Sequence, residues 1–63
     1  MSGCKIDDLT YKGFDLFLYQ DKHGYYSCNT YFKENLCFSI TGYEDIDEIE
    51  SQAYDMIDNA NLL

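Results

Sequence analysis

The sequence contains no proline and no arginine, and its only histidine is His23. With no proline and four glycines in 63 residues, no linker divides the chain, so we expect a single domain over residues 1–63. The four lysines are too few to hold nucleic acid directly, because contacts to phosphate depend on Lys and Arg. No apolar run approaches the ~18 residues of a membrane span, and Met1–Leu9 lacks the apolar core of a secretory signal.

Cysteine and histidine are also scarce. Cys4, Cys28 and Cys37 are odd in number and form no Cys-x-x-Cys pair, which predicts free thiols and a reducing cytosol. A zinc site needs four convergent ligands, and the lone His23 falls in a predicted turn, so we expect no metal and no cofactor. No phosphate-cradling glycine loop occurs, and the paired carboxylates fall on a predicted exposed helix without a pocket. We therefore expect a protein that is not an enzyme.

What the sequence does have is apolar surface and segregated negative charge. Hydrophobic residues make up 46% and aromatic residues 17%, which favours a folded domain over disorder. The net charge is −8, and all of it falls in residues 34–63, which contain eight acids and no Lys. Such asymmetry predicts an acidic surface that faces a basic protein partner, with no membrane contact.

Alternation of apolar and polar residues predicts three strands, Tyr11–Tyr19, Tyr25–Phe32 and Leu36–Thr41. Residues 1–10 show no clear period and are predicted to form a partly ordered arm. Pairing Gln20 with Gly24 in the first hairpin and Phe32 with Leu36 in the second brings the apolar side chains to one face. That predicted face consists of Phe14, Leu16, Leu18, Tyr26, Cys28, Phe32, Leu36, Phe38 and Ile40.

A helix is predicted over residues 45–60, with Asp45 as its N-cap. At 100° per residue one apolar stripe forms, consisting of Ile46, Ile49, Ala53, Met56, Ile57 and Ala60. The predicted fold is therefore α+β: a three-stranded antiparallel meander, residues 11–41, with one C-terminal amphipathic helix packed on one face, in the order βββα.

The opposite side of this helix is the first candidate binding surface. A solvated helix usually mixes signs, because acid–Lys pairs one turn apart stabilise it, yet this helix has no cation. Asp55 and Asp58 fall in its C-terminal half, where negative charge is unfavourable. Either the face is only a solvated surface, or it binds a basic partner through Glu44, Asp45, Asp47, Glu48, Glu50, Tyr54, Asp55 and Asp58.

The outer face of the predicted sheet is a second candidate. Four aromatic side chains project from it, namely Phe17, Tyr19, Tyr25 and Tyr31. They form either a surface for a partner or a second copy, or a set of ordinary strand tyrosines with hydrated hydroxyls. We expect a monomer or a weak homodimer.

Two families resemble this sequence. The run from Tyr11 to Asn59, with Asp21-Lys22-His23-Gly24-Tyr25-Tyr26 at its first turn and Gly42-Tyr43-Glu44-Asp45-Ile46-Asp47-Glu48-Ile49 entering the helix, resembles the βββα portion of HicB-type antitoxins. That resemblance implies neutralisation of a basic RNase toxin.

In size, acidity and lack of catalytic residues the whole chain is similar to small acidic phage-encoded anti-CRISPR proteins, several of which mimic DNA. This second resemblance implies that the protein acts in the host bacterial cytosol. It implies as partner a Cas subunit of a type I effector complex, with the subunit that reads the PAM as the candidate. Binding of target DNA to the complex would then be blocked.

Overall fold

The computed structural model describes residues 4–60, which form four strands and one helix. The strands are β1 (Cys4–Tyr11), β2 (Phe14–Gln20), β3 (Tyr26–Phe32) and β4 (Asn35–Tyr43), and the helix is α1 (Ile46–Asn59). The sheet is antiparallel throughout, in the order β1-β2-β3-β4. The predicted α+β class with one C-terminal helix is confirmed, but the prediction of three strands is wrong.

The missed strand is β1, which occupies most of the predicted arm; residues 1–3 of that arm lie outside the described part of the chain. β1 pairs with β2 from Cys4 opposite Gln20 to Tyr11 opposite Phe14. The register shifts between Lys5 and Asp7, and such a bulge breaks the alternation of side chains that marks a strand in a sequence.

The turn between β1 and β2 has two residues, Lys12 and Gly13. Both have positive φ, 53° and 85°, as in the type I′ turns that match the twist of paired strands. The Lys-Gly pair is thus the sequence signal that marks the extra hairpin.

The β2–β3 hairpin keeps the predicted faces in a different register. Leu18 lies opposite Cys28 and Gln20 opposite Tyr26, two residues away from the predicted pairing of Gln20 with Gly24. The longer connection is stabilised by Asp21, whose Oδ1 accepts hydrogen bonds from the backbone N–H of His23 (2.8 Å) and Tyr25 (3.0 Å). Because side chains alternate with a period of two, a shift of two residues leaves every side chain on its predicted face.

The β3–β4 hairpin confirms two predicted pairs, Cys28 with Ile40 and Thr30 with Phe38. At the turn, however, Phe32 lies opposite Asn35, and the register shifts so that Leu36 lies opposite Tyr31. Leu36 was predicted on the core face, but this shift places it with Tyr31 on the outer face, where it is 56% exposed.

Helix α1 covers one face of the sheet and contacts β3 and β4. The buried apolar core consists of Leu16, Leu18, Cys28, Ile49, Ala53 and Ile57, with Thr30 buried among them. The helix residues of this core belong to the predicted stripe. Phe32 was predicted on the core face of the sheet. It lies beside the turn, packs against Phe14 with ring centroids 4.7 Å apart, and remains 36% exposed.

Within residues 4–60 no helix combines the length and apolarity needed to cross a membrane.

Candidate functional site

The first turn of α1 is built around Asp45. Its Oδ1 accepts a hydrogen bond from the backbone N–H of Asp47 (2.9 Å), and its carbonyl oxygen accepts one from Ile49 N–H (3.1 Å). Asp45 is thus the N-cap, as predicted. The positive end of the helix dipole favours the two acids that follow, Asp47 and Glu48.

Four carboxylates form an exposed ridge at the start and along the outer side of the helix. We refer to the exposed residues Glu44, Asp47, Glu48 and Asp55 as the acidic ridge. The ion pairs found among residues 4–60 are Lys5–Asp8 and Lys12–Asp58, so no ridge carboxylate has a cationic partner there. Glu48 and Asp55 are seven residues apart, which places them on the same side of the helix with a rise of roughly 10 Å between them.

Asp58 lies near the C-terminal end of α1, where negative charge is unfavourable, but the structure shows a partner that compensates for this. Its Oδ1 lies 2.7 Å from Lys12 Nζ, and Tyr11 Oη donates to the same carboxylate at 3.1 and 3.2 Å. The hydrogen bond with Lys12 lowers the pKa of Asp58, and the same bond raises the pKa of Lys12. Asp58 therefore connects the end of α1 to the β1–β2 turn, and the positive charge of Lys12 balances its negative charge.

Glu50 and Tyr54 lie on the flank of the helix rather than on the ridge, and both are half-buried. The ring of Tyr54 packs against Tyr11 with centroids 4.5 Å apart. Burial raises the pKa of Tyr54, and the negative charge of Glu50 raises it further. Of the eight residues predicted to bind a partner, the structure thus brings four together as a free surface and gives Asp45, Tyr54 and Asp58 roles within the fold.

An open depression of about 550 Å³ runs over the exposed side of α1. Carboxylates, amide and hydroxyl groups line it, from Tyr43, Glu48, Ser51, Gln52, Tyr54, Asp55 and Asp58. These groups can accept hydrogen bonds, and the carboxylates supply negative charge, so the depression suits Lys or Arg side chains of another protein.

The outer face of the sheet carries the four predicted aromatic residues, Phe17, Tyr19, Tyr25 and Tyr31. Phe17 and Tyr31 pack with ring centroids 5.4 Å apart, and Tyr19 lies opposite Lys5. Tyr25 precedes β3, and its carbonyl oxygen accepts a hydrogen bond from the backbone N–H of Asp21 (3.0 Å), which continues the β2–β3 register by one pair. By alternation Tyr25 therefore lies at the end of the same face. Sequence reasoning missed Lys5, whose Nζ lies 4.9 Å from the Phe17 ring centroid, because β1 itself was missed.

The three cysteines are free thiols, one of them buried and two exposed. Cys28 is buried, as predicted, with its Sγ 3.8 Å from Thr30 Oγ1, and burial raises the pKa of its thiol. Cys4 and Cys37 are exposed. Across the described residues no group of three or more His, Cys, Asp or Glu side chains has the arrangement of a metal site.

Comparison with protein-family models, with curated proteins and with solved structures gave no match for this chain.

Proposed function

We propose that the protein is an acidic mimic of nucleic acid, which occupies the basic DNA-binding surface of a CRISPR-Cas effector and blocks the binding of target DNA. One observation carries the proposal. The carboxylates of the acidic ridge are exposed and have no cationic partner among residues 4–60.

The ridge presents a row of negative charge to a basic groove. Glu48 and Asp55 lie on one side of α1 roughly 10 Å apart along its axis, and Asp47 and Glu44 extend the negative charge to the start of the helix. A basic groove evolved for phosphates can meet this row with Lys and Arg. The attraction accelerates encounter and weakens as salt is added.

The ridge also costs the helix local stability, which favours a role outside the fold. Asp47 lies three residues before Glu50 within α1, which places two like charges at neighbouring positions on the helix surface. Asp55 lies in the second half of α1, where the dipole gives a carboxylate no compensation, and the structure shows no cation beside it within the described range. Asp58 does not add to this cost, because it forms an ion pair with Lys12.

The proposed target follows from the resemblance to anti-CRISPR proteins. It is a Cas subunit of a type I effector complex, in the cytosol of a bacterial host, with the PAM-reading surface as candidate. On this proposal the protein binds no nucleic acid itself and catalyses no reaction.

Displacement of DNA from a purified type I effector complex tests the proposal. Wild-type protein is expected to release a PAM-containing duplex at low salt, and its affinity for the effector is expected to fall steeply as salt increases. Failure to displace the duplex at low salt would contradict the proposed target. Tight binding to a basic RNase that persists at high salt would favour the HicB-like alternative instead.

A further inference from the structure

The outer face of the sheet is a second surface, and within residues 4–60 no helix packs on it, since α1 occupies the opposite face. Its apolar centre is formed by Phe17 and Tyr31, with Leu36 beside Tyr31 in the register. Leu36 is 56% exposed. The same face also carries Ser27, Asn29 and Ser39, so a small apolar centre lies among polar side chains, an arrangement common in protein interfaces.

We infer that this face binds a second copy of the same chain, sheet against sheet. The distribution of charge supports this occupant. The register places only Lys5, Asp8 and Asp15 among charged side chains on the outer face of residues 4–60, and Lys5 pairs with Asp8 at 3.2 Å. The face is thus close to neutral in a molecule of charge −8.

Stacking through this face keeps the acidic helices apart. Packed sheets are ~10 Å apart, and each helix lies on the far side of its own sheet, so the two helices would be roughly 30 Å from each other. That distance exceeds the Debye length of ~8 Å at physiological ionic strength, so repulsion between the ridges is largely screened. Both ridges also remain exposed, which makes self-association compatible with binding to another protein.

The size of the face sets the strength of the contact. Four strands ~4.8 Å apart and about seven residues long give a footprint of roughly 400–450 Å² per copy. Stable complexes bury ≈1,200–2,000 Å² in total, and this footprint lies below that range even when counted on both copies. The dimer is therefore weak and depends on protein concentration.

Sedimentation velocity of the full chain over a concentration series tests the inference. The weight-average mass is expected to rise from 7.4 kDa toward twice that value as concentration increases. Tyr31→Ser combined with Leu36→Ser is expected to remain monomeric over the series. Phe32→Ser removes an aromatic residue that is 36% exposed and pairs with Phe14 on the opposite face, and it is expected to behave like the wild type. Circular dichroism of each variant establishes that the fold is intact.

Salt separates this inference from the proposed function, on which it does not rest. Screening of the net charge leaves self-association unchanged or strengthens it, whereas it weakens binding through the acidic ridge. A mass that stays at that of the monomer throughout the series would overturn the inference. The inference would also be overturned if the Tyr31→Ser/Leu36→Ser protein associated as strongly as the wild type. If that double variant unfolds, the single change Leu36→Ser provides the same test.

Discussion

Lys12 and Asp58 are 46 positions apart in the sequence, yet Lys12 Nζ lies 2.7 Å from Asp58 Oδ1. The contact joins the β1–β2 turn to the last turn of α1 and is supplemented by the hydroxyl of Tyr11. The contact compensates a carboxylate at the C-terminal end of the helix, where the helix dipole disfavours negative charge.

The contribution of this contact to stability is measurable by a double-mutant cycle. Lys12→Met and Asp58→Asn are each expected to lower the urea midpoint, and the double variant is expected to lose less than the two single losses combined. The effect is small because both side chains are solvent-exposed. Strict additivity of the two changes would show that the pair does not stabilise the fold.

The same pair predicts the pH dependence of folding. The folded-state pKa of Asp58 is lowered by Lys12, so its contribution is present above the ordinary carboxyl pKa of 3.8 and disappears as pH falls through the lowered value. The pKa of Lys12 is raised, so its contribution is present below the ordinary pKa of 10.5 and disappears as pH rises through the raised value. Urea midpoints of wild type and Asp58→Asn should therefore differ at neutral pH and converge in acid; a difference that grows in acid would contradict this.

The β3–β4 turn stores backbone strain that a substitution can relieve. Lys33 and Glu34 both have positive φ, 51° and 71°, a conformation that costs a non-glycine residue roughly 1–2 kcal/mol. Glu34→Gly is expected to raise the free energy of unfolding by about 0.5–1 kcal/mol, the gain being reduced by the greater freedom of glycine in the unfolded chain.

The matched control for the turn is Ser51→Gly, at an exposed position in α1. There glycine is expected to lower the free energy of unfolding by about 0.5–1 kcal/mol. Urea denaturation of both variants gives the two signs, and destabilisation by Glu34→Gly would show that the turn is not strained.

The core of so small a domain tolerates little loss. Leu18 is fully buried, and truncation of a buried Leu to Ala costs about 2–5 kcal/mol, a large share of the stability of a domain of this size. Leu18→Ala is expected to lose most of its folded population by circular dichroism. Leu36→Ala, at an exposed position, is expected to stay folded, and equal effects of the two changes would contradict the assignment of the core.

The sequence predicts the elements whose side chains repeat with a regular period. The apolar alternation in β2 and β3 and the stripe of Ile49, Ala53 and Ile57 in α1 each correspond to an element of the structure. The predicted register of the β2–β3 hairpin was wrong by two residues. Leu16 and Leu18 still face the core, because a shift by an even number of residues leaves each side chain of a strand on the same face.

The elements that the sequence did not predict are those in which this regularity is interrupted. The bulge between Lys5 and Asp7 breaks the period of β1, and the register shift at Leu36 moves an apolar side chain to the opposite face. Asp58 illustrates the limit for the candidate site: its partner Lys12 lies in the half of the chain that sequence analysis treated as separate.

The central claim is that the acidic ridge binds a basic DNA-binding protein. Its most direct test compares two double variants, Glu48→Gln/Asp55→Asn on the ridge and Asp15→Asn/Glu34→Gln away from it, each of which removes two negative charges. The measurement is the concentration of each that displaces a PAM-containing duplex from a purified type I effector complex at low salt. The ridge variant is expected to need about tenfold more protein than the wild type, and the control variant to match the wild type. Equal losses in both variants, or none in either, would contradict the claim.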